Sequence, residues 1–213
     1  SKAIKQNDQK EIQATQNRSL EFCLLISIPA AIGLYILSKP IIYILFERGA
    51  FLSNDTLYTA KVLSMFALGL PAYILIKVLV TCFFAREDTK IPLYVSIASV
   101  VINIILSLML IQSMRETGIA LATAISAWVN ALLLYVILKT RDNITLDSRF
   151  INHGVKTIIC SIIMGVACYY LNLTLFPHMN THSTANNVAA LIVAIVACNI
   201  IYMTMIFMLK VLT

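Results

Sequence analysis

The sequence predicts an all-α, polytopic membrane protein with six transmembrane helices, and three observations carry that prediction. Of its 213 residues, 60% are hydrophobic and only 12% charged, with a mean hydropathy of +0.87; an average soluble domain is roughly 45–50% apolar and about 25% charged. So little polar surface cannot cover a soluble globule, which excludes a water-soluble enzyme domain, a nucleic-acid-binding domain and a disordered tail. The apolar residues also fall in unbroken runs of about 20, enough at 1.5 Å per residue to cross a ~30 Å hydrocarbon core. Finally, the runs are continuous, whereas a transmembrane barrel needs alternating segments of about ten residues.

Residues 1–19 form a polar, Gln-rich segment carrying Lys2, Lys5, Lys10 and Arg18, with isolated apolar residues at Ala3, Ile4 and Ile12. It reads equally as a surface helix or a solvated tether. Residues 1–19 are not expected to be a signal peptide, because the apolar run that follows is far longer than an h-region and has no cleavage site. The chain opens on Ser1 instead of a methionine, so it is expected to start partway through a longer protein.

The first span is expected from Leu20 to Phe46, interrupted by Pro29 and by Ser38-Lys39-Pro40. A proline inside a membrane helix is tolerated where a neighbour satisfies the carbonyl it frees. The second span covers Thr56 to Phe84, with Gly69, Pro71 and Lys77 inside it; the third runs from Ile91 to Met114 and the fourth from Gly118 to Lys139. Residues 20–139 thus hold four helices. A polar loop at 140–154 follows, and residues 155–213 carry the last two spans, Val155 to Phe176 and Val188 to Leu212.

Charge sets the orientation. With the N-terminus on one side, eleven of the sixteen Lys and Arg residues fall there, four fall opposite, and Lys77 stays within the membrane. Cytoplasmic loops carry the excess of Lys and Arg, so both termini and the 140–154 loop are predicted to be cytoplasmic. The net charge of +6 is explained by this topology, and no nucleic-acid partner is implied. Cys23, Cys82, Cys160, Cys168 and Cys198 all lie in apolar runs, with no CxxC and no His at zinc spacing, and read as small buried hydrophobes.

Catalytic motifs are missing: the sequence has no HExxH, GxSxG or P-loop and no pair of intramembrane carboxylates. The protein is expected to be non-enzymatic. His153, His178 and His182 read as solvated loop residues, and Asn143-Ile-Thr145 as a chance glycosylation match. Lys77 is the one ionisable group deep in a span, where a charge costs at least ~2.5–3.5 kcal/mol. It either lines a cavity suited to an anion such as a phosphate, or snorkels the ~10 Å to the end of its helix.

Asn103 and Ser107 share a face of the third span, with Thr123, Ser126 and Asn130 on the fourth. Ala120, Ala124, Ala127 and Ala131 form a small-residue stripe that admits another backbone. The polar set serves either interhelical hydrogen bonding, worth about 0.6 kcal/mol on average, or a weak oxygen-lined cation site. Arg48, before the turn residue Gly49, is an interfacial anchor or a phosphate contact.

Several segments together resemble the MurJ/MviN lipid II flippases of the multidrug/oligosaccharidyl-lipid/polysaccharide exporter superfamily. They are Ile28-Pro29-Ala30-Ala31-Ile32-Gly33-Leu34, Leu45-Phe46-Glu47-Arg48-Gly49-Ala50-Phe51, Ala67-Leu68-Gly69-Leu70-Pro71-Ala72, Lys77-Val78-Leu79, Phe83-Phe84-Ala85-Arg86-Glu87-Asp88-Thr89-Lys90-Ile91-Pro92 and Gly118-Ile119-Ala120-Leu121-Ala122-Thr123. All six occur in register between Ser1 and Lys139; the last two spans fit by position and hydropathy.

The resemblance implies helices nine to fourteen of a fourteen-helix flippase. The implied function is translocation of the undecaprenyl-pyrophosphate-linked peptidoglycan precursor across the bacterial inner membrane by alternating access. It further implies that Lys77 lines the central cavity and that residues 155–213 form a groove for the lipid tail. Sodium-coupled members have polar ligands where Asn103, Ser107 and Thr123 stand, with Ser107 where a carboxylate would serve best. No other cofactor is implied.

The implied partners are membrane lipid, the lipid-linked precursor, and the flippase's N-terminal helices, in the same longer chain or a separate one. Those upstream helices carry the family's cavity arginines. Two alternatives stand beside this reading: a non-transporting scaffold or decayed remnant, and an exporter of another amphipathic substrate.

Overall fold

The computed structural model describes residues 2–141, 148–176 and 184–209. These residues are helical, as predicted, in seven helices: α1 (Lys2–Ile36), α2 (Ser38–Phe46), α3 (Ser53–Phe84), α4 (Lys90–Met114), α5 (Glu116–Thr140), α6 (Ser148–Leu175) and α7 (Thr184–Met208). Six of them contain stretches long and apolar enough to cross a membrane, and α2 is the short exception. The chain is therefore a multi-pass membrane protein.

The interruption expected at Ser38-Lys39-Pro40 divides the first span into two helices at Leu37. Pro40, three residues on, has no N–H to donate to Ile36 and its ring crowds that carbonyl, which favours a break at this point. Ser38 Oγ donates instead to Tyr35 O at 3.0 Å. At the other end of the chain, α6 begins at Ser148, so residues 148–154 of the expected loop are helical. Hydropathy locates the part of a helix inside the hydrocarbon, not its polar first turns. The 1–19 segment follows the same logic: from Lys2 onward it is helical and continuous with the first span.

The helices pack in a row. α5 lies between α3 and α4, α3 packs in turn against α1, α1 against α6, and α6 against α7. Two apolar clusters result. One joins Leu20, Ala72, Leu79, Phe83, Leu134 and Leu138 across α1, α3 and α5; the other joins Leu25, Leu37, Cys160, Met164, Cys198 and Tyr202 across α1, α2, α6 and α7. α1 is the shared wall.

The predicted small-residue stripe is where α3 and α5 meet. Ala120, Ala124, Ala127 and Ala131 are all buried, and a Cβ at Gly69 would come within 3.0 Å of Ala124 Cα. Packing at this distance uses small residues because neighbouring lipid is as apolar as any side chain, so association depends on close contact. Cys82, Cys160, Cys168 and Cys198 are buried and Cys23 is half-buried, all as free thiols, consistent with their reading as small hydrophobes.

At Pro29 a neighbouring helix satisfies the carbonyl that the proline frees. Pro29 leaves the Leu25 carbonyl without its backbone donor, and Tyr202 Oη of α7 donates to Leu25 O at 2.5 Å. Beside Pro71, Trp128 Nε1 of α5 donates to Leu68 O at 3.0 Å. In hydrocarbon an unsatisfied backbone group costs several kcal/mol, so the Tyr202 donor is what Pro29 needs within its span, whereas the Trp128 bond ties α5 to α3 one residue past Ala67 O, the carbonyl that Pro71 frees.

Candidate functional site

Lys77 is exposed on α3, and among the described residues it has no hydrogen-bond or ion-pair partner. It sits seven residues before the helix end at Phe84, about 10 Å along the axis. Its neighbours along α3, Tyr73, Ile74, Val80 and Thr81, carry no charge, so any counter-charge must come from water, lipid, ligand or helices beyond those described. Arg48 is also exposed, but at the other end of α3. Counting from Ser53, about 36 Å of helix separates the two cations, so they do not share a site.

Arg48 has a local task. Its Nη2 donates to Leu45 O at 2.5 Å, satisfying one of the carbonyls left open at the end of α2. Gly49, at φ +62°, turns the chain in the left-handed region that glycine enters without cost. Thr56 Oγ1 then donates to Glu47 Oε2, and Leu52 N donates to Asp55 Oδ2 at 2.9 Å, fixing the start of α3.

Asn103, Ser107 and Thr123 are brought together. Asn103 Nδ2 donates to Thr123 Oγ1 at 3.2 Å and to Ser126 Oγ at 3.0 Å. Ser107 Oγ donates to Asn103 Oδ1 at 3.2 Å. The two α5 hydroxyls donate onward to Ile119 O at 2.9 Å and Thr123 O at 3.0 Å. Asn130 stays outside the network, its Oδ1 buried without a hydrogen bond among the described residues. Each amide and hydroxyl proton of the cluster has an acceptor, and all its oxygens are neutral. This donor set forms a hydrogen-bonded α4–α5 seam of neutral oxygens, without the carboxylate that a strong cation site would add.

A second feature lies along α1, α2, α6 and α7. An apolar groove of about 350 Å³ runs past Pro29, Gly33, Leu37, Met164, Ile195 and Met203. Part of its wall comes from the second apolar cluster, and α1 and α2 line it alongside α6 and α7. Tyr202 lines this groove, and its hydroxyl is bonded to Leu25 O.

His153 is a correction to the sequence reading. It belongs to α6, its side chain is only 12% exposed, and its Nδ1 lies 3.6 Å from Glu21 Oε2 of α1. This pairing joins residues 132 positions apart, and no local spacing announces it. The role of Tyr202 had a signal in Pro29, since that proline predicts a Leu25 carbonyl in need of a donor. Which side chain supplies it is decided only by packing. His178, His182 and Asn143-Ile-Thr145 lie outside the described residues.

Comparison with known proteins agrees with this arrangement. The model of the lipid II flippase MurJ family matches residues 1–190, reaching past the six motifs into the last two helices. Similar relatives include the probable lipid II flippases MurJ of Rhizobium tropici, 39% identical over 86% of this chain, and of Rickettsia prowazekii, 40% identical over 78%. The aligned regions span 34% and 33% of those proteins, so the chain corresponds to about a third of their length. A solved lipid II flippase MurJ in an inward closed conformation superposes on 96% of this chain and 41% of its own, at a TM-score of 0.74 and 28% identity. This chain belongs to the lipid II flippase MurJ family and matches its C-terminal part.

Proposed function

We propose that the chain is the C-terminal part of a flippase moving lipid II, the undecaprenyl-pyrophosphate-linked peptidoglycan precursor, across the bacterial inner membrane. The observation that carries this is Lys77, an exposed ammonium inside an apolar span with no partner among the described residues. A charge so placed marks a substrate path by default. A diphosphate is the counter-charge it suits, held while the tail stays in an apolar environment.

The 350 Å³ groove beside α6 and α7 supports a place for that tail. Alternating access then needs a second lobe facing Lys77, supplied by N-terminal helices of the same longer chain or of a separate one. Both termini lie in the cytoplasm on this reading, supported by the distribution of Lys and Arg. No step is routed through sodium, because the Asn103 cluster is satisfied by its own hydrogen bonds. The protein acts as a transporter, without covalent chemistry.

Translocation of labelled lipid II into proteoliposomes tests the reading. Vesicles holding this chain with the upstream helices are expected to transport, and vesicles holding the upstream helices alone are not. Equal transport in both would sink it and favour a scaffold. Transport of unrelated amphiphiles that lipid II fails to inhibit would point to another exported substrate.

A further inference from the structure

We propose that the seam between the first turns of the α1 and α6 spans binds the phosphate headgroup of an anionic phospholipid. A cavity of about 400 Å³ opens there, with Arg18, Glu21 and Phe22 of α1 facing Arg149, Phe150 and His153 of α6. Both arginines are exposed, and neither guanidinium has a hydrogen bond or ion pair among the described residues. Glu21, the carboxylate on the wall, lies against His153 instead. The cavity therefore presents two positive forks whose geometry matches phosphate oxygens.

Depth identifies the source of the phosphate. The apolar runs of these two helices begin at Leu20 and Val155, so Arg18 and Arg149 both lie just outside them, at the same predicted membrane face. That is the level of lipid headgroups, where basic pockets between helices take anionic lipids. Phe22, Leu24, Leu25 and Phe150 supply an apolar wall below the arginines, and Leu25 also lines the long apolar groove. Inorganic phosphate would use the arginines and leave this wall unoccupied. The site is separate from Lys77 on α3, and its occupancy does not depend on transport.

Native mass spectrometry of the full chain, titrated with phosphatidylglycerol against phosphatidylcholine, tests the proposal. Phosphatidylglycerol is expected to bind at least about fivefold more tightly, and Arg18→Gln and Arg149→Gln each to weaken it about fivefold. Lys90→Gln removes an exposed charge from the same membrane side and is expected to change binding less than about twofold. Equal binding by wild type and both arginine variants would overturn the site, as would an equal loss in Lys90→Gln. Displacement of the lipid by equimolar inorganic phosphate would assign the arginines to a free anion and overturn the lipid. Circular dichroism monitors folding. Should a glutamine variant lose its helical signal, the paired variant Arg18→Lys with Arg149→Lys replaces it, expected to bind about threefold more weakly; full affinity there overturns a guanidinium site.

Discussion

At Gly69 the packing tolerance of the α3–α5 contact reduces to one missing methyl group. A Cβ there would lie 2.7 Å from Tyr73 Oη and 3.0 Å from Ala124 Cα, whereas at Gly33 it would meet nothing within 4 Å. Gly69→Ala is expected to destabilise the chain by about 1–3 kcal/mol, the usual cost of overpacking. Gly33→Ala is expected to be neutral or to stabilise by up to ~1 kcal/mol through helix propensity. Thermal unfolding in detergent compares the two, and equal midpoints would refute the close approach. Tyr202→Phe removes the donor to Leu25 O beside Pro29 and is expected to cost about 1–3 kcal/mol, because a buried acceptor is left unsatisfied. A midpoint unchanged from wild type would show that Leu25 finds another donor.

Among the elements, α4 depends most on a single neighbour, since α5 supplies nearly all of its packing. Asn103→Ala removes both amide bonds between them and is expected to cost about 1 kcal/mol, at about 0.6 kcal/mol per membrane hydrogen bond. The unfolding midpoint of the unaltered chain is expected to be the same in sodium and potassium chloride. A sodium-specific rise that Asn103→Ala abolishes would instead assign these oxygens to a cation.

The Asn103 cluster was legible in the sequence because Asn103 and Ser107 are four residues apart on one face, and Thr123 and Ser126 follow across a short turn. The α1–α2 break was legible from Pro40. The start of α6 was not, because Arg149, Asn152 and His153 look like loop residues by hydropathy while remaining compatible with a helix. Nor was the pairing of His153 with Glu21, which depends on how α1 and α6 rotate as they pack. Lys77 could be found as an intramembrane charge, but its lack of a partner among the described residues became visible only once α3 had neighbours.

For the whole molecule, α1 joins two unlike parts: α3 to α5 with Lys77 on one side, and α6 and α7 with the apolar groove on the other. On the proposed reading, this division would serve a lipid diphosphate, with a cation for the head and hydrocarbon-like walls for the tail. The excess of Lys and Arg on one side predicts that an N-terminal tag is protected from external protease in intact cells and cleaved in inverted vesicles; the reverse pattern would invert the topology. The most direct measurement is lipid II translocation by the chain together with its upstream helices, comparing Lys77 with Lys77→Ala. A loss of at least about tenfold, corresponding to about 1.4 kcal/mol or more, with normal membrane incorporation is the expected result. Transport at the unaltered rate would contradict a substrate-path role for Lys77.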